Sequence, residues 1–302
     1  MTIRHALSNP QLVIGSLIVL VFAIVAIAAP LIAPPEGEDP YLVPRDGFSV
    51  PPQPPSPEHL LGTMQNQYDV FYGLIWGARV AFRIGLAITV GRALVGIAIG
   101  LVSGYYGGWL DGVLMRITDA FMAFPIIAVV VVMVTLFGGG GIGIQTTDLE
   151  RLLTLALTLF GWMQYARLVR GNVLAERAKE YVRAAVSVGA GNGRIIFRHV
   201  LPNSTSGLFV LIASDIGAMV VTVAALTFVG LSGNVMVADW GLMLQSSRNW
   251  IIGTPSNAFE FWYTYLLPSA AIVLFSIGWN LIGDGLREAT DPRTRGLYRS
   301  RR

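Results

Sequence analysis

The chain has 302 residues, of which 54% are hydrophobic and only 13% are charged. Average soluble domains carry about 25% charged residues, so this composition excludes an ordinary water-soluble protein and indicates a membrane protein. The net charge of +3 does not by itself imply nucleic-acid binding, and the absence of cysteine excludes disulfides, cysteine metal sites and thiol chemistry.

Six apolar stretches are long enough to cross a membrane, because about 20 helical residues span the hydrocarbon core. In chain order they are residues 12–33, 80–104, 113–137, 152–168, 207–231 and 263–282. The first is longer than the apolar core of a signal peptide and lacks a clean cleavage site, so we expect it to be retained. The fourth is the shortest.

Two connecting segments have unusual compositions. Residues 30–57 are rich in proline, which removes amide donors and fixes φ, so we expect an extended, water-facing strap there. Residues 137–144, "FGGGGIGI", predict a glycine-rich turn on the same side. This turn is not a phosphate-binding loop, because it lacks the Gly-Lys-Ser/Thr ending.

The distribution of basic residues predicts the orientation of the spans, since cytoplasmic loops carry an excess of Lys and Arg. The connection between spans four and five and the C-terminal tail hold most of them: Arg170, Arg177, Lys179, Arg183, Arg194, Arg198, Arg287, Arg293, Arg295, Arg299, Arg301 and Arg302. The connections on the opposite side are mainly acidic. We therefore expect an all-α integral membrane protein with six spans and both termini in the cytoplasm.

Signatures of catalysis are missing from the sequence. The three histidines have no metal-binding spacing, and neither a Gly-x-Ser-x-Gly motif nor a Walker motif occurs. We therefore expect no active site and no bound metal.

Three residues inside the predicted spans are candidates for a role in transport. Arg92 lies in the second span and Asp215 in the fifth, although a charge at the centre of a membrane costs on the order of 2.5–3.5 kcal/mol. For both, the sequence favours a structural role over a place on a transport path, and it does not establish a direct pair. Pro125 lies in the third span, where proline kinks a helix and so shapes a path or its packing.

The polar segment 180–203, "EYVRAAVSVGAGNGRIIFRHVLPN", lies between the fourth and fifth spans. We predict a short helix over 180–188, ended by glycines at 189, 191 and 193, and a second helix that leads through Pro202 into the fifth span. A general basic loop would explain the arginines. It would not explain the spacing of Ala-Ala, Gly and Leu-Pro.

That spacing resembles the cytoplasmic "EAA" loop of bacterial ABC importer permeases. The general motif is Glu-Ala-Ala, three residues, Gly, nine residues and Ile-x-Leu-Pro. The matching positions here are Ala184, Ala185, Gly189, Leu201 and Pro202. Arg183 replaces the glutamate of the motif and His199 replaces its isoleucine. Glu180, one helical turn before Arg183, is the nearest acidic residue that could supply the missing contact.

Further stretches are similar to the dipeptide/oligopeptide/nickel permease family and occur in its order. They are "HLLGT", "LIWGAR", "GYYGGWLDGVLMRITDAFMAFP", "YARLVRGNVL", "IFRHVLPN", "LTFVGL", "DWGLML" and "NLIGDGLREATDPR". The extra first helix and the loop after it resemble the C-type subunit. The chain departs from the family after "LGT", where only Asp69 is kept. It also departs before "LTFVGL", where Val223-Ala224-Ala225 occupies the region in which an acidic residue is common two or three places upstream. These departures leave the substrate open.

The resemblance implies a non-enzymatic permease of the bacterial or archaeal cytoplasmic membrane that forms half of a path for peptides or a similar solute. The implied partners are a second homologous permease, two subunits that bind ATP and Mg, a substrate-binding protein and membrane lipid, but no nucleic acid. A coupling helix between spans four and five would contact the ATPase through Glu180, Arg183, Ala184, Ala185, Gly189, Gly193, Leu201 and Pro202.

The predicted organisation has three parts. Residues 1–79 would form the first span and the strap, residues 80–288 a five-helix core with the EAA loop at about 176–203, and residues 289–302 a basic cytoplasmic tail. The alternative function is a secondary transporter or channel subunit driven by an ion gradient, favoured only by Arg92 and Asp215. The cargo stays open among peptides, nickel chelates and oligosaccharides.

Overall fold

The computed structural model describes residues 9–138, 149–205, 207–231, 236–253, 257 and 259–290. Within these ranges the regular secondary structure is helical, and β-type pairing occurs only as isolated bridges. Five helices are long and apolar enough to cross a membrane, and a bent helix pair makes a sixth if it is one span. Most of the glycine-rich turn at 137–144 and the end of the basic tail lie outside the described residues.

The helices follow the predicted order. Their bounds are α1 Pro10–Ile32, α2 Val70–Tyr106, α3 Gly108–Met122, α4 Ile126–Gly138, α5 Leu149–Leu159, α6 Met163–Arg177, α7 Glu180–Ser187, α8 Asn192–Ile195, α9 Leu201–Ser204, α10 Leu208–Val229, α11 Trp240–Ser247 and α12 Trp262–Thr290. Short 3₁₀ turns cover Gln65–Gln67 and Arg248–Trp250, and one π-helical turn covers Ile196–Val200.

The second span begins well before the predicted residue 80, inside the segment assigned to the first part of the chain. Asp69 caps α2, because its Oδ1 accepts a hydrogen bond from the Tyr72 backbone amide at 2.7 Å. The other carboxylate oxygen, Oδ2, lies 2.8 Å from His59 Nδ1. The helix has 37 residues and is therefore about 55 Å long, which exceeds the hydrocarbon core of a bilayer. Apolarity alone identified only residues 80–104 of this helix.

The proline-rich strap packs against the helices more closely than predicted. Val43 is buried, and its backbone amide donates to the Met236 carbonyl at 3.1 Å. Gln67 follows the strap in the chain, and its buried side-chain Nε2 donates to the strap carbonyls of Ser49 and Pro51 at 3.1 and 2.7 Å. The strap is therefore irregular as predicted, but part of it belongs to the core instead of facing water.

Three glycines on α2 form a ridge against α6. Gly96, Gly100 and Gly104 are spaced four residues apart, which places them on one face of the helix. A Cβ on Gly100 would lie 2.5 Å from the carbonyl oxygen of Ala166, and one on Gly96 would lie 2.3 Å from the Tyr165 Cβ. In lipid, helices associate by close packing of small residues, so this ridge sets the distance between α2 and α6.

The first and last spans also meet at glycines. A Cβ on Gly15 of α1 would lie 2.7 Å from the carbonyl oxygen of Gly278 in α12, and one on Gly285 would lie 2.7 Å from the Leu12 Cβ. At the end of this contact, Asn9 Nδ2 donates to Glu288 Oε2 at 2.7 Å. The first helix is thus packed onto the last one.

Replacing Gly100 by alanine is expected to lower the free energy of unfolding by about 1–3 kcal/mol, because the methyl group would overlap the α6 backbone. The matched control is Gly171→Ala on α6, where nothing lies within 4 Å of the added Cβ. That control should be neutral or more stable by up to about 1 kcal/mol, from helix propensity. Thermal unfolding in detergent measures both, and equal destabilisation would contradict the ridge.

Candidate functional site

The two charged residues predicted inside the spans form a direct pair. Arg92 Nη1 lies 3.0 Å from Asp215 Oδ1, which joins α2 to α10, and the hydroxyl of Tyr165 on α6 donates to Asp215 Oδ2 at 3.0 Å. Arg92 is only 4% exposed. Each charge thus lies beside its counter-charge, as buried ions require.

Arg92 also donates a hydrogen bond to a backbone carbonyl at a break in the fourth span. Residues 149–177 form one candidate span, but the helix is interrupted between the end of α5 at Leu159 and the start of α6 at Met163. Arg92 Nε donates to the carbonyl oxygen of Leu157 at 2.8 Å, near the end of α5. Because lipid offers no hydrogen bonds, an interrupted span needs such partners inside the protein.

Gly161 makes room for this arrangement. A Cβ at Gly161 would lie 2.0 Å from Arg92 Nε, so a side chain there would displace the guanidinium. Gly161 was not among the predicted site residues, and its only sequence signal is that it is a glycine within an apolar stretch. The geometry favours a structural role for Arg92 and Asp215, because their bonds join three spans.

The bend predicted at Pro125 is present and larger than a kink. Pro125 lies between α3 and α4, which are bent by 78° relative to each other. Arg170 on α6 binds both carboxylate oxygens of Asp111 at 2.5 and 2.6 Å, and Arg167 lies 2.5 Å from Asp119. The third predicted span therefore consists of a charged helix held to α6 and an apolar helix of about 20 Å, which is shorter than the hydrocarbon core.

In the polar segment 180–203, the helix α7 agrees with the predicted one to within one residue. Val182 is buried, whereas Glu180, Arg183 and Ala184 are exposed. Ala185 is half-buried and packs against an interior cluster that includes Val182. The two alanines, both expected to contact a partner, are therefore divided between the surface and the interior.

Gly189 ends α7 in a left-handed conformation with φ of 78°. The amide of Ala190 donates to the carbonyl of Ala185 at 3.1 Å, an arrangement typical of a helix C-terminus closed by glycine. The other two glycines do not end this helix as predicted. Gly191 is the N-cap of α8 and Gly193 lies within α8, so of the three glycines Gly189 ends α7.

The path into the fifth span also differs from the prediction. Leu201 and Pro202 begin α9, which is only four residues long. Proline fits there because the first helical residues need no amide partner. The chain then turns again at Gly207, with φ of 77°, before α10 begins at Leu208. Pro202 therefore does not lead directly into the span.

A buried carboxylate that the sequence analysis missed attaches this segment to α6. Glu176 is 5% exposed, forms an ion pair with Lys179 at 2.7 Å and accepts a hydrogen bond from the Tyr181 hydroxyl. This bond to the carboxylate raises the pKa of Tyr181. The Tyr105 hydroxyl of α2 donates to Asn192 Oδ1 at 3.0 Å. The segment is thus tied to two spans.

Three large apolar side chains of the segment face outward: Val186, Val188 and Phe197, which we call the loop patch. Val188 is 84% exposed. Arg183, Arg194 and Arg198 are exposed in the same segment. Exposed apolar side chains bordered by charges are typical of surfaces that bind another protein.

Residues 96–296 match the family described as "Binding-protein-dependent transport system inner membrane component". The chain is similar to the dipeptide transport system permease protein DppC of Alkalihalophilus pseudofirmus, with 34% identity over 94% of this chain and 86% of that protein. It is 31% identical to the oligopeptide transport system permease protein OppC of Bacillus subtilis over 95% of this chain and 87% of that protein. It is 35% identical to the glutathione transport system permease protein GsiD of Pectobacterium atrosepticum over 79% of this chain and 74% of that protein.

Replacing Asp215 by alanine is expected to lower the free energy of unfolding by about 3–5 kcal/mol, because Arg92 would be left as an unpaired buried charge. The double variant Arg92→Met/Asp215→Leu removes both charges and should be less destabilised than Asp215→Ala. Tyr165→Phe removes one hydrogen bond and should cost about 1 kcal/mol. Denaturant unfolding in detergent measures all three. An Asp215→Ala protein as stable as Tyr165→Phe would rule out the structural role.

Proposed function

The chain belongs to the family of binding-protein-dependent transport system inner membrane components, and from this membership we propose that it forms half of a membrane path for short peptides. It is a permease subunit of an ATP-driven importer and is not itself an enzyme. The observation that carries the peptide assignment is the set of relatives aligned over most of this chain, which are named for dipeptide, oligopeptide and glutathione transport.

Membership of this family implies a substrate-binding protein and separate ATPase subunits. We propose that each of two such subunits binds ATP and Mg, and that one docks on segment 180–203 of this chain. The contact would comprise the loop patch together with Glu180, Arg183, Ala184 and Gly189. Ala185, Gly193, Leu201 and Pro202 would shape the segment. Within the described residues, no group of three metal ligands occurs that would give the chain a metal of its own.

The attachment of the segment supports a mechanical role in coupling. Glu176 holds α7 to the end of α6, and Asn192 binds Tyr105 at the end of α2. We propose that movement of the ATPases displaces this segment as a unit. Because α6 packs on the glycine ridge of α2, the displacement would reach both spans together.

The bent helix pair is the element best suited to face a second, homologous permease. Apolar side chains on both halves are exposed, among them Ile117 on α3 and Ile127, Val132 and Leu136 on α4. We propose that this face and the bend at Pro125 contribute to the shared path. Arg92 and Asp215 would hold the spans behind it, because both are bonded within the protein.

We further propose that the chain lies in a bacterial cytoplasmic membrane with both termini in the cytoplasm. Its division into 1–79, 80–288 and 289–302 remains a proposal, and the first boundary falls within α2. The excess of basic residues in segment 180–203 supports this orientation, because such loops remain on the cytoplasmic side.

Uptake of radiolabelled dialanine by cells tests the function. Val188→Asp is expected to weaken association with the ATPase subunits about 30-fold, by placing a charge in the docking contact, and to abolish uptake. The control Ile252→Asp changes an equally exposed side chain after α11, on the opposite side, and should leave both measurements unchanged. Full uptake without bound ATPase would instead support a transporter driven by an ion gradient.

Glu180 and Arg183 can be distinguished as contacts of the ATPase. They are three residues apart on α7, so they share one side of the helix, and we propose that Glu180 supplies the acidic contact of the motif. Glu180→Gln is expected to reduce co-purification of the ATPase about fivefold, and Arg183→Gln less. A larger loss with Arg183→Gln would assign the contact to the arginine.

A further inference from the structure

A cavity of about 760 Å³ lies at the strap end of the helices. Its walls include Ile84 of α2, Leu153 of α5, Val223 of α10 and Leu242 of α11, and Leu42 of the strap also lines it. Cavities of this size, with apolar walls and a few polar groups, are typical of small-molecule sites. None of the residues assigned above to the ATPase contact lines it.

Charged side chains of both signs line the same cavity: Asp39, Arg83, Glu150, Arg151 and Asp239. Arg83 Nη2 donates to both carboxylate oxygens of Glu150, at 2.9 and 2.7 Å, and its guanidinium lies 4.4 Å from the centre of the Tyr41 ring. Arg83 and Glu150 therefore largely neutralise each other. Asp39 accepts a hydrogen bond from the Tyr41 amide at 2.9 Å, near the entrance.

Asp239 is the carboxylate deepest in the cavity wall. Its Oδ1 caps α11 by accepting a hydrogen bond from the Leu242 backbone amide at 2.8 Å. The same oxygen accepts a hydrogen bond from the Thr227 hydroxyl at 3.3 Å. Burial raises the pKa of this carboxyl. The residue is nevertheless partly exposed, on the side where it lines the cavity. A buried carboxylate in an apolar wall gains stability from a cation beside it.

The chemistry of the wall selects among cations. Divalent metals such as Ca²⁺ take six or more oxygen ligands, whereas apolar side chains make up most of this wall. A primary ammonium group attached to an apolar body matches one carboxylate set among aliphatic side chains. A carboxylate ligand fits less well, because three carboxylates and two arginines line the cavity and one of the arginines, Arg83, is bound to Glu150.

We propose that this cavity holds the amino-terminal end of a short peptide in transit, with its ammonium group against Asp239 and its first side chain on Ile84, Leu153 and Val223. This inference rests on the proposed function, since it names where the cargo meets this chain. It assigns the selection of a free amino terminus to the permease itself.

Because the chain contains no cysteine, a single cysteine introduced into the cavity is the only thiol of the chain that a reagent can label. Ala87 lines the cavity and is exposed, so Ala87→Cys introduces a single thiol with little change in volume. The chain, in its own membrane and with its native partners, is treated with a methanethiosulfonate bearing either a trimethylammonium or a sulfonate group. Mass spectrometry of the chain measures both rates. Their ratio reports the charge in the cavity, because the reactivity of the thiol itself cancels.

The cationic reagent is expected to react about tenfold faster than the anionic one, since a cleft of one charge concentrates the opposite charge. Asp239→Asn keeps a capping oxygen but removes the charge, and should lower the ratio about threefold. Asp69→Asn is the matched control, because Asp69 caps α2 without lining the cavity. Val50→Cys on the exposed strap supplies the reference ratio.

Protection by peptides tests the site itself. Dialanine should slow modification of Ala87→Cys about tenfold at saturation, whereas N-acetyl-dialanine, which lacks the ammonium group, should not. Asp239→Asn should remove the protection by dialanine. Equal protection by both peptides, or unchanged protection in Asp239→Asn, would overturn the assignment.

This test is separate from that of the proposed function. Dialanine uptake that depends on the ATPase, without protection of Ala87→Cys, would overturn the cavity site and leave the permease function intact. Protection without uptake would support the site and contradict the importer. The two outcomes are distinguished because labelling needs neither ATP nor net transport.

Discussion

The charge pair between Arg92 and Asp215 is the contact on which the arrangement of the spans depends. One guanidinium binds the carboxylate of α10 and the free carbonyl of Leu157 at the end of α5. Each group alone would be costly within an apolar bundle, so the three elements are stable only while they remain together. The break in the fourth span is possible because Arg92 satisfies it, and Arg92 fits there because residue 161 is glycine.

From this point the helix α6 connects the interior of the bundle to the polar segment. It begins at the break, packs along the glycine ridge of α2, and binds α3 through Arg167 and Arg170. Its last turn carries Glu176, which binds Lys179 and Tyr181 at the start of α7. Close packing and ion pairs along its whole length make α6 difficult to bend. Force applied to the segment would therefore move the contacts near Arg92 instead of being absorbed on the way.

The sequence was sufficient for the features that depend on local composition. The spans followed from apolar length, and the bend at Pro125 and the helix over 180–188 followed from proline, glycine and charge. The remaining features depend on contacts between distant residues. The early start of α2 needed the cap at Asp69, and the burial of Glu176 needed Tyr181 and Lys179 beside it. Trp240 belongs to an aromatic stretch typical of membrane interfaces, yet its indole lies in the core and donates to the Leu74 carbonyl.

The charge pair and the cavity are built on the same helices, which places one beneath the other. Ile84 and Arg92 on α2 are separated by about 12 Å along the helix, and so are Val223 and Asp215 on α10. On α5, Leu153 lines the cavity one turn before Leu157, which binds Arg92. The pair therefore lies about two helical turns beyond these cavity residues, on the side away from the strap. A peptide bound at Asp239 could not continue through this bundle without separating two buried charges. Its onward path would instead run sideways, toward the exposed face of the bent helix pair, which we proposed above as the contact with a second permease.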